Sequence, residues 1–287
     1  MALNELSLAA PAKLNLFLHI TGRRDDGYHL LQTVFQFLDY SDEISLSLRE
    51  DAQILRVKGL ENVPYESDLC VRAAKLLQTE SKTSLGVDIS MDKKLPIGGG
   101  IGGGSSDAAT VLLGLNKLWQ CGFDTQKLAD LGLQLGADVP VFVHGFSAWA
   151  EGVGEHLTPI NLQETWFLVV HPEISVSTAE IFNDQALTRD CEPLKIARFL
   201  EGNGFEQLSN VFEPIVSNKY PEIADAINWL SRFSPARLTG TGSCLFASFD
   251  QQKEAEKVLD QLPEQWQGFV AKGVNQSPLL KGLEALS

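Results

Sequence analysis

Six glycines occupy seven positions near residue 100, and this segment constrains the fold more than any other part of the 287-residue chain. The run Gly98–Gly104 is followed by Ser105 and Ser106, and then by apolar residues at helical spacing. Backbone N–H groups of such a loop can approach a ligand closely, and the helix that follows directs its positive end toward the same place. The segment therefore predicts a phosphate-binding loop. A flexible glycine hinge is the alternative, but it gives no reason for the entropic cost of so many glycines.

The loop differs from the two common nucleotide-binding patterns. No lysine precedes the serine pair, so the segment is not a G-x-x-x-x-G-K-[ST] loop. Gly98, Gly100 and Gly103 satisfy G-x-G-x-x-G, but the flanking segments do not form the strand–helix–strand unit that a dinucleotide fold requires. Ser105 and Ser106 could cap the helix, contact a phosphate or ligate Mg²⁺ through a hydroxyl. The spacing leaves these three roles open.

Four polar residues could carry chemistry, although none of them identifies an enzyme by itself. Lys13 and Asn15 lie in segment 13–20, where apolar residues at alternate positions predict a strand with one buried face. A lone lysine on such a strand is usually solvated. Asp138 lies between a predicted helix and an apolar run, where aspartate most often occupies a turn or caps a helix. Asp107, beside the glycine loop, needs Mg²⁺ or the helix dipole to offset its charge.

Strand patterns dominate the first hundred residues. They include segments 32–38 and 43–49, each rich in apolar and β-branched residues. Asp68 and Asp124 are each placed immediately before an apolar stripe of helical period, and we expect both to cap helices.

The second half of the chain has a different pattern. Several helices are predicted between 178 and 232, and a strand–loop–strand follows at 236–249. Within it, segment 238–244 is either a hairpin of small residues or a support for the phosphate loop from a second domain. Helices mixed with mostly non-sequential strands indicate an α+β fold rather than a doubly wound sheet. We place a boundary near 158, which gives domains 1–158 and 159–287.

The charge balance excludes some classes of function. The net charge of −14 repels polyanions, which disfavours nucleic acid and acidic membranes as partners. An anionic substrate then needs a locally positive site, for which Arg23, Arg24, Lys93 and Lys94 are candidates. The four cysteines form no CxxC pair, which predicts a reduced, cytoplasmic protein. Because no leader pattern and no apolar run of about 20 residues occurs, we expect neither secretion nor a membrane span.

Three segments together resemble the sequence motifs of the GHMP kinase superfamily of small-molecule kinases. They are PAKLNLFL at 11–18, PIGGGIGGGSSDAA at 96–109 and LTGTGSC at 238–244, in matching order and spacing over nearly the whole chain. The resemblance implies a ribosomal-protein-like α/β N-terminal domain and an α+β C-terminal domain, with ATP and the acceptor between them. It also implies that Asp138 is the catalytic base and that Lys13 is its cationic partner.

The resemblance also assigns a cofactor site. It implies that ATP binds at the glycine loop together with Mg²⁺, whose protein ligands it leaves unassigned. The residues expected to contact ATP are Pro96, Ile97, Gly98, Gly99, Gly100, Ile101, Gly102, Gly103, Gly104, Ser105, Ser106 and Lys93. Asp107 stands where close relatives commonly carry asparagine.

A narrower resemblance is to the branch that phosphorylates the 2-hydroxyl of 4-diphosphocytidyl-2-C-methyl-D-erythritol on the non-mevalonate route to isoprenoid precursors. It depends on PAKLNLFL, on GYHLLQTVFQFLDYSD at 27–42 and on GADVPVF at 136–142. It implies that Tyr28 and Phe182 stack on the two faces of cytosine and that His29 meets the polar edge. The residues expected at this substrate are Asn15, Tyr28, His29, Thr178 and Phe182.

Two other functions fit the same features. One is a homoserine- or mevalonate-type kinase on the same scaffold, which needs no cytosine sandwich. The other is a catalytically silent regulator that binds a phosphorylated metabolite, which the presence of both Lys13 and Asp138 disfavours. The expected partner is a small molecule, a cytidine diphosphate-linked polyol, and the oligomeric state is left unassigned.

Overall fold

A computed structural model describes residues 4–200 and 208–285 of the chain, and its strands join in one mixed sheet. The strands are β1 (Glu5–Arg23), β2 (His29–Arg49), β3 (Ile54–Lys58), β4 (Gly86–Asp92), β5 (Ala148–Glu151), β6 (His156–Pro159), β7 (Trp166–His171), β8 (Ala236–Leu238), β9 (Leu245–Phe249) and β10 (Gln267–Val274). The helices are α1 (Leu69–Ser81), α2 (Gly103–Leu118), α3 (Thr125–Leu133), α4 (Val139–His144), α5 (Thr178–Phe182), α6 (Ile196–Leu200), α7 (Glu213–Lys219), α8 (Pro221–Leu230), α9 (Gln252–Leu259) and α10 (Pro278–Glu284).

Strand β2 organises the sheet because it pairs with four other strands. The order is β3-β4-β2-β10-β7-β9-β8, with β1 and β5 also paired to β2, and β6 paired to β5. Strand β10 reaches β2 through Gly273 opposite Leu38 and Val274 opposite Phe37. This short pairing joins the N-terminal strands to the C-terminal ones.

Apolar cores lie on both sides of that junction. In the N-terminal half, α1, α2, α3 and α4 cover the sheet, and their buried residues contact Leu46 of β2 and its neighbours. Helix α2 lies so close to the sheet that a Cβ at Gly114 would be 2.6 Å from Leu46 Cδ1. In the C-terminal half, α8 and α9 cover β7 and β9 around Leu168 and Leu245. The segregation of helices and strands confirms the α+β prediction.

Segment 13–20 lies in β1, but the expectation of one buried face is wrong. Leu14 and Phe17, which a regular strand would direct to opposite faces, are both essentially inaccessible. A register shift between Asn15 and Leu18 turns Phe17 into the same core as Leu14. The face that carries Lys13 and Asn15 is buried as well, so the strand is covered on both faces.

The separation of 32–38 from 43–49 is also wrong, because β2 is continuous through both segments. Ser41 and Asp42, in the polar stretch between them, still pair with β1. The boundary near 158 falls inside β6, and it stays a prediction.

Other sequence expectations are confirmed. Asp68 accepts two backbone N–H groups at the start of α1, and Asp124 accepts one at the start of α3. The strand–loop–strand at 236–249 is formed by β8 and β9. Of the helices predicted between 178 and 232, α5 to α8 are present, while residues 201–207 lie outside the described residues.

No membrane span is expected from the sequence, and the helices in residues 4–200 and 208–285 bear on this. None of them combines the length and apolar character needed to cross a bilayer.

We expect Leu46→Ala to lower the free energy of unfolding by about 2–5 kcal/mol, because the side chain is fully buried beneath α2. The control is Leu133→Ala, which removes the same group from a side chain that is 41% exposed and should cost below about 1 kcal/mol. Urea denaturation of both variants measures the difference. Equal losses would contradict the assignment of Leu46 to the core.

Candidate active site

A cavity of about 970 Å³ lies between the glycine loop, the β1–β2 hairpin and loops of the C-terminal half. The predicted site residues on its wall are Lys13, Asn15, Tyr28, His29, Lys93, Pro96, Ile97, Gly98, Gly99, Gly100, Gly102, Gly103, Gly104, Ser105, Asp138, Thr178 and Phe182. Ile101 and Ser106 are not on that wall, since both are buried in the interior. Residues from distant parts of the chain therefore meet at one cavity.

The glycine loop presents backbone to the cavity. Gly98, Gly100 and Gly102 have φ angles of 70°, 74° and 78°, a left-handed region that residues with a Cβ seldom adopt. Helix α2 begins at Gly103, and its N-cap Gly102 makes no side-chain cap bond. The first amide N–H groups of α2 are thus available to an anion. The capping role considered for the serines is wrong, because Ser105 and Ser106 both lie inside the helix and its N-cap is Gly102.

Segment 238–244 packs directly on this loop, which confirms the supporting role considered for it. The Cys244 N–H donates to the Gly99 carbonyl oxygen at 3.0 Å. A Cβ at Gly100 would lie 2.3 Å from the Thr239 carbonyl oxygen, so only glycine fits there. The C-terminal half of the chain therefore fixes the shape of the glycine loop.

Lys13 and Asp138 meet beside the loop. The Lys13 Nζ lies 3.2 Å from Asp138 Oδ2, and it donates to Asn15 Oδ1 at 2.6 Å and to the Gly100 carbonyl oxygen at 3.2 Å. The Lys13 side chain is 3% exposed and that of Asp138 is 37% exposed. Three oxygen acceptors thus satisfy a buried ammonium group, and the carboxylate is the member of the pair that remains open to the cavity.

Asp138 has the position of a capping residue but not its hydrogen bond. It is the N-cap of α4, and its side chain accepts nothing from the helix, so the capping interpretation is wrong. The second helical residue is Pro140, which has no N–H to offer. The carboxylate therefore turns to Lys13.

A chain of hydrogen bonds holds Asn15 in place. Its side-chain amide donates to Thr33 Oγ1 at 2.9 Å, and that hydroxyl donates to the Phe17 carbonyl oxygen at 2.5 Å. The Asn15 backbone N–H donates to Thr239 Oγ1 at 2.9 Å. With its amide fixed, the side-chain oxygen of Asn15 can only face Lys13.

Lys93, Asp42 and Asp107 form a buried charged cluster behind the glycine loop. The Lys93 Nζ contacts Asp42 Oδ2 and lies 2.6 Å from Asp107 Oδ2. Asp42 also accepts the backbone N–H groups of Lys94 and Leu95, whereas Asp107 Oδ1 has no partner among the described residues. One ammonium group cannot neutralise two buried carboxylates. Desolvation therefore raises the pKa of Asp107 to about 7, although Lys93 opposes the shift.

The sequence left open what offsets the charge of Asp107, and this cluster supplies a partner for it. Lys93 lies against Asp107 and offsets its charge. Lys93 lines the cavity, but its ammonium is shared between two carboxylates. A direct contact between Lys93 and ATP stays a prediction.

The other end of the cavity carries aromatic rings. Tyr28 is 64% exposed, while the rings of His29 and Phe182 lie 5.2 Å apart between centroids. The Thr178 hydroxyl lies 3.0 Å from the Thr241 hydroxyl. Tyr28, His29, Thr178 and Phe182 thus line the same cavity, and His29 and Phe182 are in ring contact.

Sequence reasoning missed several residues that shape the site. They include Thr33, Asp42 and Arg189, and each acts through a contact that no local pattern records. Arg189, for example, contacts the His29 ring across 160 positions of sequence. Thr239 entered the predictions from sequence only as part of segment 238–244, with no role of its own.

Comparisons of sequence identify relatives over the whole chain. The family models for the GHMP kinase N-terminal and C-terminal domains match residues 68–146 and 192–268. The 4-diphosphocytidyl-2-C-methyl-D-erythritol kinase of Hahella chejuensis is 56% identical, with 97% of each chain covered. The enzyme of the same name from Pseudomonas aeruginosa is 57% identical, with 98% of each chain covered.

Solved structures show the same architecture. A crystal structure of 4-(cytidine 5'-diphospho)-2C-methyl-D-erythritol kinase superimposes with a TM-score of 0.81 at 30% identity, covering 93% of this chain and 99% of that one. Mevalonate kinase from Methanococcus jannaschii gives a TM-score of 0.69 at 18% identity, covering 94% of this chain and 98% of that one. The second likeness shows the fold alone.

We expect Asp107→Asn to change how stability depends on pH. Because the folded-state pKa of Asp107 is about 7 against an ordinary value of 3.8, the folded protein retains a proton that the unfolded chain releases between these values. The unfolding free energy of the wild type should therefore fall relative to that of Asp107→Asn as pH rises from about 4 to about 7, on the order of 2–4 kcal/mol, and the difference should then level off.

Chemical denaturation of the protein without nucleotide, at several pH values, measures this difference. Asp130→Asn, on the exposed side of α3, controls for the loss of one negative charge from the chain. A difference between wild type and Asp107→Asn that does not vary with pH would contradict the raised pKa.

Proposed function

The chain belongs to the GHMP kinases and, within them, to the 4-diphosphocytidyl-2-C-methyl-D-erythritol kinase family, and from this membership we propose the reaction that it catalyses. ATP transfers its γ-phosphoryl group to the 2-hydroxyl of 4-diphosphocytidyl-2-C-methyl-D-erythritol, giving ADP and the 2-phosphate. The reaction supplies precursors on the non-mevalonate route to isoprenoids.

One observation carries this proposal. The Lys13–Asp138 pair lies in the same cavity as the glycine loop and the Tyr28–Phe182 wall. Phosphoryl transfer needs a positioned hydroxyl, a proton acceptor and favourable electrostatics around the moving group, in one place. A cavity of about 970 Å³ has room for both substrates.

We assign the proton transfer to Asp138. Its partly exposed carboxylate takes the proton of the 2-hydroxyl as the oxygen attacks the γ-phosphorus. Lys13 offsets negative charge on the carboxylate and on the phosphoryl group in the transition state. Asn15, fixed by Thr33, holds the ammonium in register.

The phosphates of ATP belong at the glycine loop in this proposal. The N-terminal amides of α2 and the positive end of its dipole favour a phosphate there without a side-chain cation. In the described residues no cluster of three or more His, Cys, Asp and Glu side chains could hold a metal. Mg²⁺ carried by the ATP phosphates would neutralise charge on them.

Recognition of the acceptor falls to the aromatic end. Tyr28 and Phe182 would stack on cytosine, His29 would bond its edge, and Thr178 would lie beside them. A cytoplasmic location, from the cysteine spacing, is part of the same proposal.

An ADP-release assay across acceptors tests the proposed function. Turnover should require 4-diphosphocytidyl-2-C-methyl-D-erythritol, and CDP should compete with this acceptor. Turnover of homoserine or mevalonate instead, without competition by CDP, would replace the proposal with another kinase activity. Nucleotide binding without ADP release from any acceptor would indicate a silent binding protein.

We expect Asp138→Asn to lower kcat by roughly 10²–10⁴-fold, because asparagine can still accept from Lys13 but cannot take a proton. The KM for ATP should change little, since the glycine loop is untouched. Steady-state kinetics with both substrates measure the split. A variant that keeps near-full turnover would remove Asp138 from the role of base.

We expect Gly100→Ala to raise the KM for ATP by about tenfold or more, because the new Cβ would displace the loop from the Thr239 carbonyl. Gly122→Ala is the control. Its φ of 72° imposes a similar backbone strain, but nothing lies within 4 Å of its Cβ. The control should keep its KM for ATP, and an equal rise in both variants would mean that strain rather than contact sets the loop.

A further inference from the structure

Arg189 links the start of β2 to the turn after α5, where the aromatic residues line the cavity. Its Nε donates to His29 Nε2 at 3.2 Å. Its terminal nitrogens donate to the carbonyl oxygens of Leu187 at 3.1 Å, Phe182 at 3.0 Å and Asp184 at 2.7 Å. The turn after α5 thus fixes the guanidinium group, and the guanidinium group fixes the imidazole.

This contact decides which nitrogen of His29 carries a proton. A guanidinium group has only donors, so His29 Nε2 must present its lone pair to Arg189. Burial lowers the pKa of His29, and the charges of Arg189 and Arg23 lower it further, so the ring is neutral at pH 7. A neutral imidazole has a single N–H, which is therefore on Nδ1.

The Nδ1–H group is available to a ligand. His29 lines the cavity, and within residues 4–200 and 208–285 its only hydrogen-bond partner through the ring is Arg189. A fixed donor next to a stacking platform reads the edge of a base, because stacking itself tolerates any base. The ring beside it is that of Phe182, whose own carbonyl oxygen accepts from Arg189.

We propose that Arg189 is a positioning residue that holds His29 as an Nδ1–H donor and thereby selects cytosine over uracil in the acceptor substrate. This selection presupposes the proposed function. Cytosine presents an unprotonated ring nitrogen at N3, whereas uracil carries a hydrogen there. An N–H group held toward N3 donates a hydrogen bond to cytosine. Toward uracil it meets another N–H group, so two donors face each other and no hydrogen bond forms.

The first experiment needs no substrate. The wild-type protein is labelled with ¹⁵N-histidine, and His29→Gln assigns the ring signals by their loss. At pH 7.5 the His29 Nδ1 should give the signal of a protonated nitrogen and Nε2 that of an unprotonated one. A proton on Nε2 overturns the inference, whatever the variants do.

The second experiment measures base preference. For Arg189→Ala, the ratio of kcat/KM for the cytidine substrate to that for its uridine counterpart should fall by about tenfold or more. The loss should appear mainly in the KM of the acceptor, with kcat within about threefold, because the Lys13–Asp138 pair is untouched. An unchanged ratio overturns the inference.

Arg232→Ala is the control for the second experiment. Arg232 also donates to a carbonyl oxygen, that of Trp229, but it does not line the cavity, so the base preference should remain. Absence of ADP release by the wild type with the cytidine substrate overturns the proposed function and the base selection together. Turnover by the wild type with an unchanged preference in Arg189→Ala overturns the base selection alone.

Discussion

A buried ammonium group must be surrounded by acceptors, and the site depends on this requirement at Lys13. The Lys13 side chain is 3% exposed, and its three acceptors come from β1, from the glycine loop and from the start of α4. If any one of these elements moved away, a buried donor would lose its partner at a cost of about 1–3 kcal/mol or more. The same contacts that satisfy Lys13 therefore hold the glycine loop and Asp138 in register.

Because the chain is acidic, the proposed binding of ATP requires a local source of attraction in the cavity. The net charge of −14 opposes ATP at long range, and the cations nearest the loop, Lys13 and Lys93, are both paired with carboxylates. In the proposed function the attraction comes from the backbone N–H groups of the loop and from the start of α2, with Mg²⁺ neutralising charge on the ATP phosphates. These dipoles are fixed by the contact of Gly100 with Thr239, so they need no reorganisation when a phosphate arrives. Lys93, by contrast, ties α2 to β2 through Asp107 and Asp42.

The sequence predicts those features whose cause is local. The caps at Asp68 and Asp124, the helix after the glycine loop and the strand–loop–strand at 236–249 follow from spacing and residue type, and all are present. The bulge in β1 could not be predicted, because it depends on what covers the strand from both sides. The meeting of Lys13 with Asp138 was implied by resemblance rather than by spacing. No pattern in the sequence pairs Lys93 with Asp42 or Arg189 with His29, since each pair forms only when separate strands and loops have packed.

The Lys13–Asp138 pair and the Arg189–His29 pair are built on different parts of the fold, and in the proposed function this division separates chemistry from selectivity. The Lys13–Asp138 pair is attached to a buried strand and a helix start, where neighbouring elements leave little freedom. His29 lies where β2 begins, and its partner Arg189 lies on a turn after α5. A change in the turn that carries Arg189 can alter which nitrogen of His29 donates a hydrogen bond, without disturbing Asp138. In the proposed function, the Lys13–Asp138 pair carries the proton transfer, and the proposed selection of the acceptor depends on the Arg189–His29 hydrogen bond between the two halves of the chain.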